Sequence, residues 1–170
     1  MMMWQWLRES KVAAYVLTIL RIGLGGVWLS DGWTKLTMNG GFHLDAVIKL
    51  VLQKPVTMTF DQRPAFPWFN GLIDQTTQHG QSITALNTWS QMLVFAEIVV
   101  GLLLIIGALT SIAAGVAILL NLTYLGFGLI GVNPTELVVA FILLSAGNHA
   151  GLFGVDRILQ PWFKTHVFHK

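Results

Sequence analysis

The chain has 170 residues, 54% of them hydrophobic and 11% charged, with a mean hydropathy of +0.65, whereas a soluble domain carries about 25% charged residues. Ten basic and eight acidic side chains are too few to solvate a water-soluble globule, so the bilayer is the expected solvent. The absence of cysteine excludes disulfides, thiolate metal sites and cysteine nucleophiles, and the scattered net charge of +2 argues against nucleic acid as a partner.

Arg8 and Lys11 precede the first long apolar run, 12–33. This run exceeds the roughly 7 to 15 residues of a secretory apolar core. Arg21 interrupts it and no small-residue cleavage site follows, so it is expected to remain as a span. The segment 34–91 reads as an extended, partly helical outer loop. In it Leu44, Val47, Ile48, Val51 and Leu52 recur at helical spacing, the pattern of an amphipathic helix lying on a membrane or on the bundle. Pro55, Pro64 and Pro67 then break the pattern among Phe60, Phe66, Trp68 and Phe69, an aromatic cluster too apolar to hang free in water. Apolar runs at 92–109, 112–132 and 137–155 supply three further spans, each near the roughly 20 residues needed to cross a hydrocarbon core. The turn Gly107 to Ser111 is short enough to make spans two and three an antiparallel hairpin, and Asn133-Pro134-Thr135-Glu136 carries the start signal of a capping box. In the tail, 156–170, Pro161-Trp162-Phe163-Lys164 has the composition of an interfacial anchor.

The expected fold is therefore an all-α integral membrane protein, a single domain over 1–170 built as a four-transmembrane-helix bundle. Lys and Arg lie close to the span ends in the two tails, which puts both termini in the cytoplasm and the long loop outside.

A charge at mid-bilayer costs at least about 2.5 to 3.5 kcal/mol, so ionisable residues inside the spans need a partner or a task. Measured along the helices at about 1.5 Å per residue, Arg21, Glu97 and Asn121 all arrive roughly 14 to 16 Å from the cytoplasmic face. Arg21, Gly25, Trp28, Gly32 and Lys35 share one stripe, Glu97, Gly101, Leu104 and Ala108 another, and Ala114, Ala117, Asn121 and Gly128 a third. Small residues mark helix contacts in membranes, so these polar groups are expected to face inward, with Arg21 and Glu97 in contact. Two compatible roles remain open: a structural ion pair with Asn121 as an extra partner, or a functional layer that lines a site for a polar head group such as a quinone or forms part of a proton path, with Glu97 and Arg21 as the acting groups and Arg21, Asn121, Trp28 and Asn148 as binding residues.

Glu136 reads as a helix-start residue, and Asp31 with Lys35 as an interfacial i, i+4 pair. Trp28, Trp33 and Tyr124 fit an aromatic belt. His149 stands alone in its span, while His43, His79, His166 and His169 fall in the loop and the tail, so neither metal nor haem is expected. Gly23-Leu24-Gly25-Gly26 reads as helix packing, and no nucleotide loop or hydrolase motif occurs.

The chain resembles the DoxX/DoxD membrane proteins. The likeness runs through Arg21-Ile22-Gly23, Asp31-Gly32-Trp33-Thr34-Lys35-Leu36, Glu97 to Leu102 with Gly107, Asn121, Asn133-Pro134, Gly147-Asn148-His149-Ala150-Gly151 and Gly154-Val155-Asp156-Arg157. It implies a four-helix protein of a prokaryotic cell membrane. In DoxD members such a protein is the large subunit of a thiosulfate:quinone oxidoreductase that works with a DoxA-like partner. The expected function is a membrane subunit of a quinone-linked redox system. The alternatives are a scaffold that recruits soluble redox or oxidative-stress enzymes, and a small-solute or proton transporter, with a homo-oligomer compatible with each.

Overall fold

Ser10 stands between two helices because its hydroxyl accepts from the Ala13 backbone N–H and caps the second. In the computed structural model, which describes residues 3–159 and 161, α1 covers Met3–Glu9 and α2 covers Lys11–Thr37. The long loop holds α3, Asp45–Gln53, and α4, Pro67–Thr77. Then follow α5, Ile83–Ile106, α6, Thr110–Gly126, and α7, Asn133–Ala146, which runs into a short 3-10 helix, Gly147–Gly151.

Two of these helices, α2 and α5, are long and apolar enough to cross a membrane, and α6 is a shorter apolar helix. Their outer faces are apolar as well. Ile19, Phe95, Leu119 and Val138 are each more than half exposed, which a soluble protein avoids over so wide an area.

The most extensive helix contact joins α2 to α5, and glycine makes it possible. A Cβ on Gly25 would stand 2.8 Å from the Gly101 carbonyl oxygen, and one on Gly101 2.6 Å from the Leu29 nitrogen, so the backbones meet as small-residue stripes allow. Gly23 and Gly26, by contrast, face open space. The expected stripes are buried at Arg21, Gly25, Trp28, Gly32, Glu97, Gly101, Leu104, Ala114, Ala117 and Asn121. Gly128 leaves its stripe: α6 has ended, and Gly128 is exposed at φ +76°.

Helix bounds differ from hydropathy where polar turns continue a helix or glycine stops one. α5 begins nine residues before Met92, at a start where Ser82 Oγ accepts from the Ala85 N–H at 3.3 Å. α7 begins at Asn133, but not through the expected capping box. Asn133 Nδ2 donates back to the Leu129 carbonyl at 2.6 Å, and the N-cap residue is Val132, with no side-chain cap. Gly147, at φ +59°, ends α7 well before Val155.

The loop folds over one end of the bundle, hereafter the loop end. Leu44, Ile48 and Val51 are buried, as the amphipathic pattern predicts. Of the aromatic cluster, Phe69 is the anchor: its ring meets Phe127 edge-on at 5.0 Å and lies against Gly126. Phe66 packs against the core, whereas Phe60 and Trp68 are exposed. The opposite end carries the α5–α6 turn. There His149 bonds the Ser10 carbonyl at 3.0 Å, and Arg8 Nε donates to the Ser145 carbonyl at 3.2 Å. The anchor at 162–164 lies outside the described residues, as do His166 and His169.

Candidate functional site

Glu97 lies on the inward face of α5 and is wholly buried. Its Oε1 accepts two bonds, from Lys35 Nζ in the last turn of α2 and from the Tyr124 hydroxyl on α6. Lys35 Nζ also donates to the Tyr124 hydroxyl at 3.0 Å and sits 4.7 Å from the centre of that ring. Three helices thus close a polar triad, and because both bonds fall on one carboxylate oxygen, the other, Oε2, has no partner among the described residues.

Beneath the triad, Trp28 stacks on Tyr124 with ring centres 6.4 Å apart. Asn121, one turn earlier in α6, donates from Nδ2 to the Ala117 carbonyl at 2.9 Å. Trp28 Nε1 and Asn121 Oδ1 are buried without a partner among the described residues. Buried polar atoms are nearly always satisfied, so orphans call for a ligand or an ordered water. This layer offers one donor and two acceptors. Glu136, only 8% exposed at the start of α7, lies in electrostatic range of Glu97, Lys35 and Asp31.

Lys35 also lines a cleft of about 420 Å³ that opens at the loop end. Phe42, Val94, Phe95 and Ile98 give it apolar walls; His43, Asn87, Ser90 and Gln91 add polar groups.

The expected contact between Arg21 and Glu97 is absent. Arg21 donates from Nη1 to the Leu104 carbonyl at 2.9 Å and reaches the Phe153 carbonyl at 3.5 Å. Equal depths for Arg21 and Glu97 would require Lys11 and Ala108 to lie at one level. The glycine contacts set another register, with Gly25 against Gly101 and Gly32 against Glu97, so Arg21 falls roughly 16 Å from the Glu97 layer at the helical rise. At that turn end Asp156 accepts from the Leu109 and Thr110 N–H groups at 2.6 and 2.8 Å, capping α6, and acts electrostatically on Arg21. Asn148 lines a different, turn-end pocket with Arg8 and His149.

Of the expected site residues, Glu97 and Trp28 therefore come together through Tyr124, Asn121 lies buried one turn earlier on the Tyr124 face of α6, and Arg21 and Asn148 lie elsewhere. Lys35 turns inward to Glu97 instead of pairing with Asp31, because its long stem carries the ammonium past a full turn of helix. Tyr124 belongs to the site and not merely to a belt; its position one turn beyond Asn121, on the same face, was the available signal.

The DoxX family model matches residues 16–128, more than half of the chain, from α2 to just past α6. The chain belongs to the DoxX family. Comparison with curated proteins and with solved structures finds no match. The matched residues include all three members of the triad, and DoxX membership together with the apolar helices makes this a membrane protein. Glu136 and Asp156 lie beyond the matched span.

Proposed function

We propose that this protein is the membrane subunit of a quinone-linked redox system and that the loop-end cleft takes the quinone head group. The observation that carries the reading is a buried Lys35–Glu97–Tyr124 triad beside an aromatic-walled cleft. A quinone ring presents two carbonyl acceptors, and the residues lining the cleft fit it: Lys35 and Asn87 are donors, and Phe42 and Phe95 give apolar walls. Ile98 lines both this cleft and an apolar groove of Gly26, Leu29 and Trp33, which suits an isoprenoid tail. When bound, the quinone supplies a two-electron, two-proton acceptor. Lys35 orients a carbonyl oxygen, and Glu97 holds a proton at Oε2, kept in place by the Tyr124 hydroxyl on Oε1.

In this reading the bundle spans the membrane four times, in a prokaryotic cell membrane with both termini cytoplasmic. A DoxA-like partner delivers electrons from thiosulfate or a related sulfur compound. Arg21 and Asn148 serve the turn end and not the quinone. Titrating the purified protein with decylubiquinone, followed by tryptophan quenching, tests the site. Glu97→Gln and Lys35→Met should each weaken binding at least tenfold, about 1.4 kcal/mol; unchanged affinity in both variants overturns the reading. Cysteines placed at Gln5, Gln78 and His169 test the orientation, since an impermeant thiol reagent should label only position 78 in intact cells.

A further inference from the structure

At the turn end, α1 lies along α7, and between them runs an apolar groove of about 430 Å³ lined by Trp4, Trp6, Val138, Phe141 and Ile142. It ends at Ser145, whose carbonyl accepts from Arg8 Nε. Arg8 also lines a pocket of about 440 Å³ with Asn148 and His149. Lys11 follows Ser10, the residue whose carbonyl is bonded by His149. The surface is thus apolar along the groove, with the Arg8 guanidinium as the cation at its Ser145 end.

We propose that this surface is a binding site for an anionic phospholipid, with the phosphate at Arg8 and one acyl chain in the groove between α1 and α7. The charge selects the occupant. A guanidinium has five donors in a fixed fork, and the Ser145 carbonyl engages Nε, on one edge of that fork. Two-point recognition of phosphate is what this geometry favours. A neutral quinone has no charge for Arg8, and a zwitterionic lipid offers its own ammonium in competition. Tryptophans beside the groove match the belt found where acyl chains meet head groups. The site does not depend on what the loop-end cleft binds.

Native mass spectrometry of the full chain, released from micelles with equimolar phosphatidylglycerol and phosphatidylcholine, tests the proposal. One phosphatidylglycerol should be retained with roughly tenfold preference, equivalent to about 1.4 kcal/mol, and glycerol 1-phosphate in excess should not displace it. Arg8→Gln should abolish the preference while leaving decylubiquinone binding unchanged. Val138→Trp, at a position 58% exposed, should fill the groove and lower retention of both lipids without disturbing the core. Equal retention of the two lipids by the parent overturns the proposal. So does displacement by glycerol 1-phosphate, or a preference that survives both variants.

Discussion

At the turn end, Arg21 and Asp156 are held by backbone: the guanidinium by the Leu104 carbonyl, the carboxylate by two amides at the start of α6. At the loop end, Lys35, Glu97 and Tyr124 hold one another through side chains; both ends keep buried polar atoms without a partner among the described residues, Arg21 Nε and Thr110 Oγ1 at the turn end, Glu97 Oε2, Trp28 Nε1 and Asn121 Oδ1 toward the loop end. Polar groups satisfied by main chain lock helices together, because those partners cannot move without breaking the helix ends. Polar groups satisfied by side chains can exchange partners when a ligand arrives. That difference fits the proposed division, fold maintenance at one end and ligand chemistry at the other, although both ends bury a charge.

The largest expected effect comes from stranding a charge at the loop end. Lys35→Met or Glu97→Gln alone should cost about 3 to 5 kcal/mol, since removing one partner leaves the other buried and unpaired. The Lys35→Met/Glu97→Gln double variant should regain most of that loss in thermal unfolding in detergent, yet bind no decylubiquinone. A double variant no more stable than either single variant would break the contrast, for the pair would then be structural in the same sense as Arg21. Next, Gly107→Ala should cost about 3 kcal/mol: the residue sits at φ +69°, and its Cβ would fall 1.8 Å from Arg21 Nη1. Asp156→Ala should cost about 2 kcal/mol through the lost cap. Both turn-end variants should lower the unfolding midpoint and leave quinone affinity unchanged in the folded fraction. The smallest effect on stability is that of Tyr124→Phe, about 1 to 2 kcal/mol for the bond donated to Glu97 and the one accepted from Lys35. It sharpens the contrast if quinone affinity falls further than stability does.

Much of the helix-facing information was legible in spacing. The stripe from Arg21 to Gly32, the stripe from Glu97 to Leu104 and the amphipathic pattern of Leu44 to Val51 all found their buried faces, because burial follows the 3.6-residue period. Register was not legible. It depends on which glycine of α2 meets which glycine of α5, and equal distances from two span ends cannot show that Gly25 lies against Gly101. The triad was missed for the same reason, compounded by the reach of Lys35: the i, i+4 spacing to Asp31 describes Cβ positions, whereas the ammonium lies several bonds away. α1 and α4 escaped notice because seven and eleven residues are too few for periodicity to separate from loop, and Pro67, read as a breaker, instead opens α4. The α7 start shows the converse error. A correct start signal was present, but Asn133 turns its amide back to the preceding carbonyls.

The helices of this bundle are unequal. α2 has 27 residues and α7 has 14, or ~40 Å and ~21 Å at the helical rise, against a hydrocarbon core of ~30 Å. Gly147 and the 3-10 helix after it keep α7 from growing longer. In the proposed four-span arrangement, the lipid beside α7 would have to thin while that beside α2 would be met by tilt, a hydrophobic mismatch of opposite sign on two faces of one small protein. That arrangement would make the protein sensitive to acyl-chain length, with bilayers of shorter chains the better match to its α7 face.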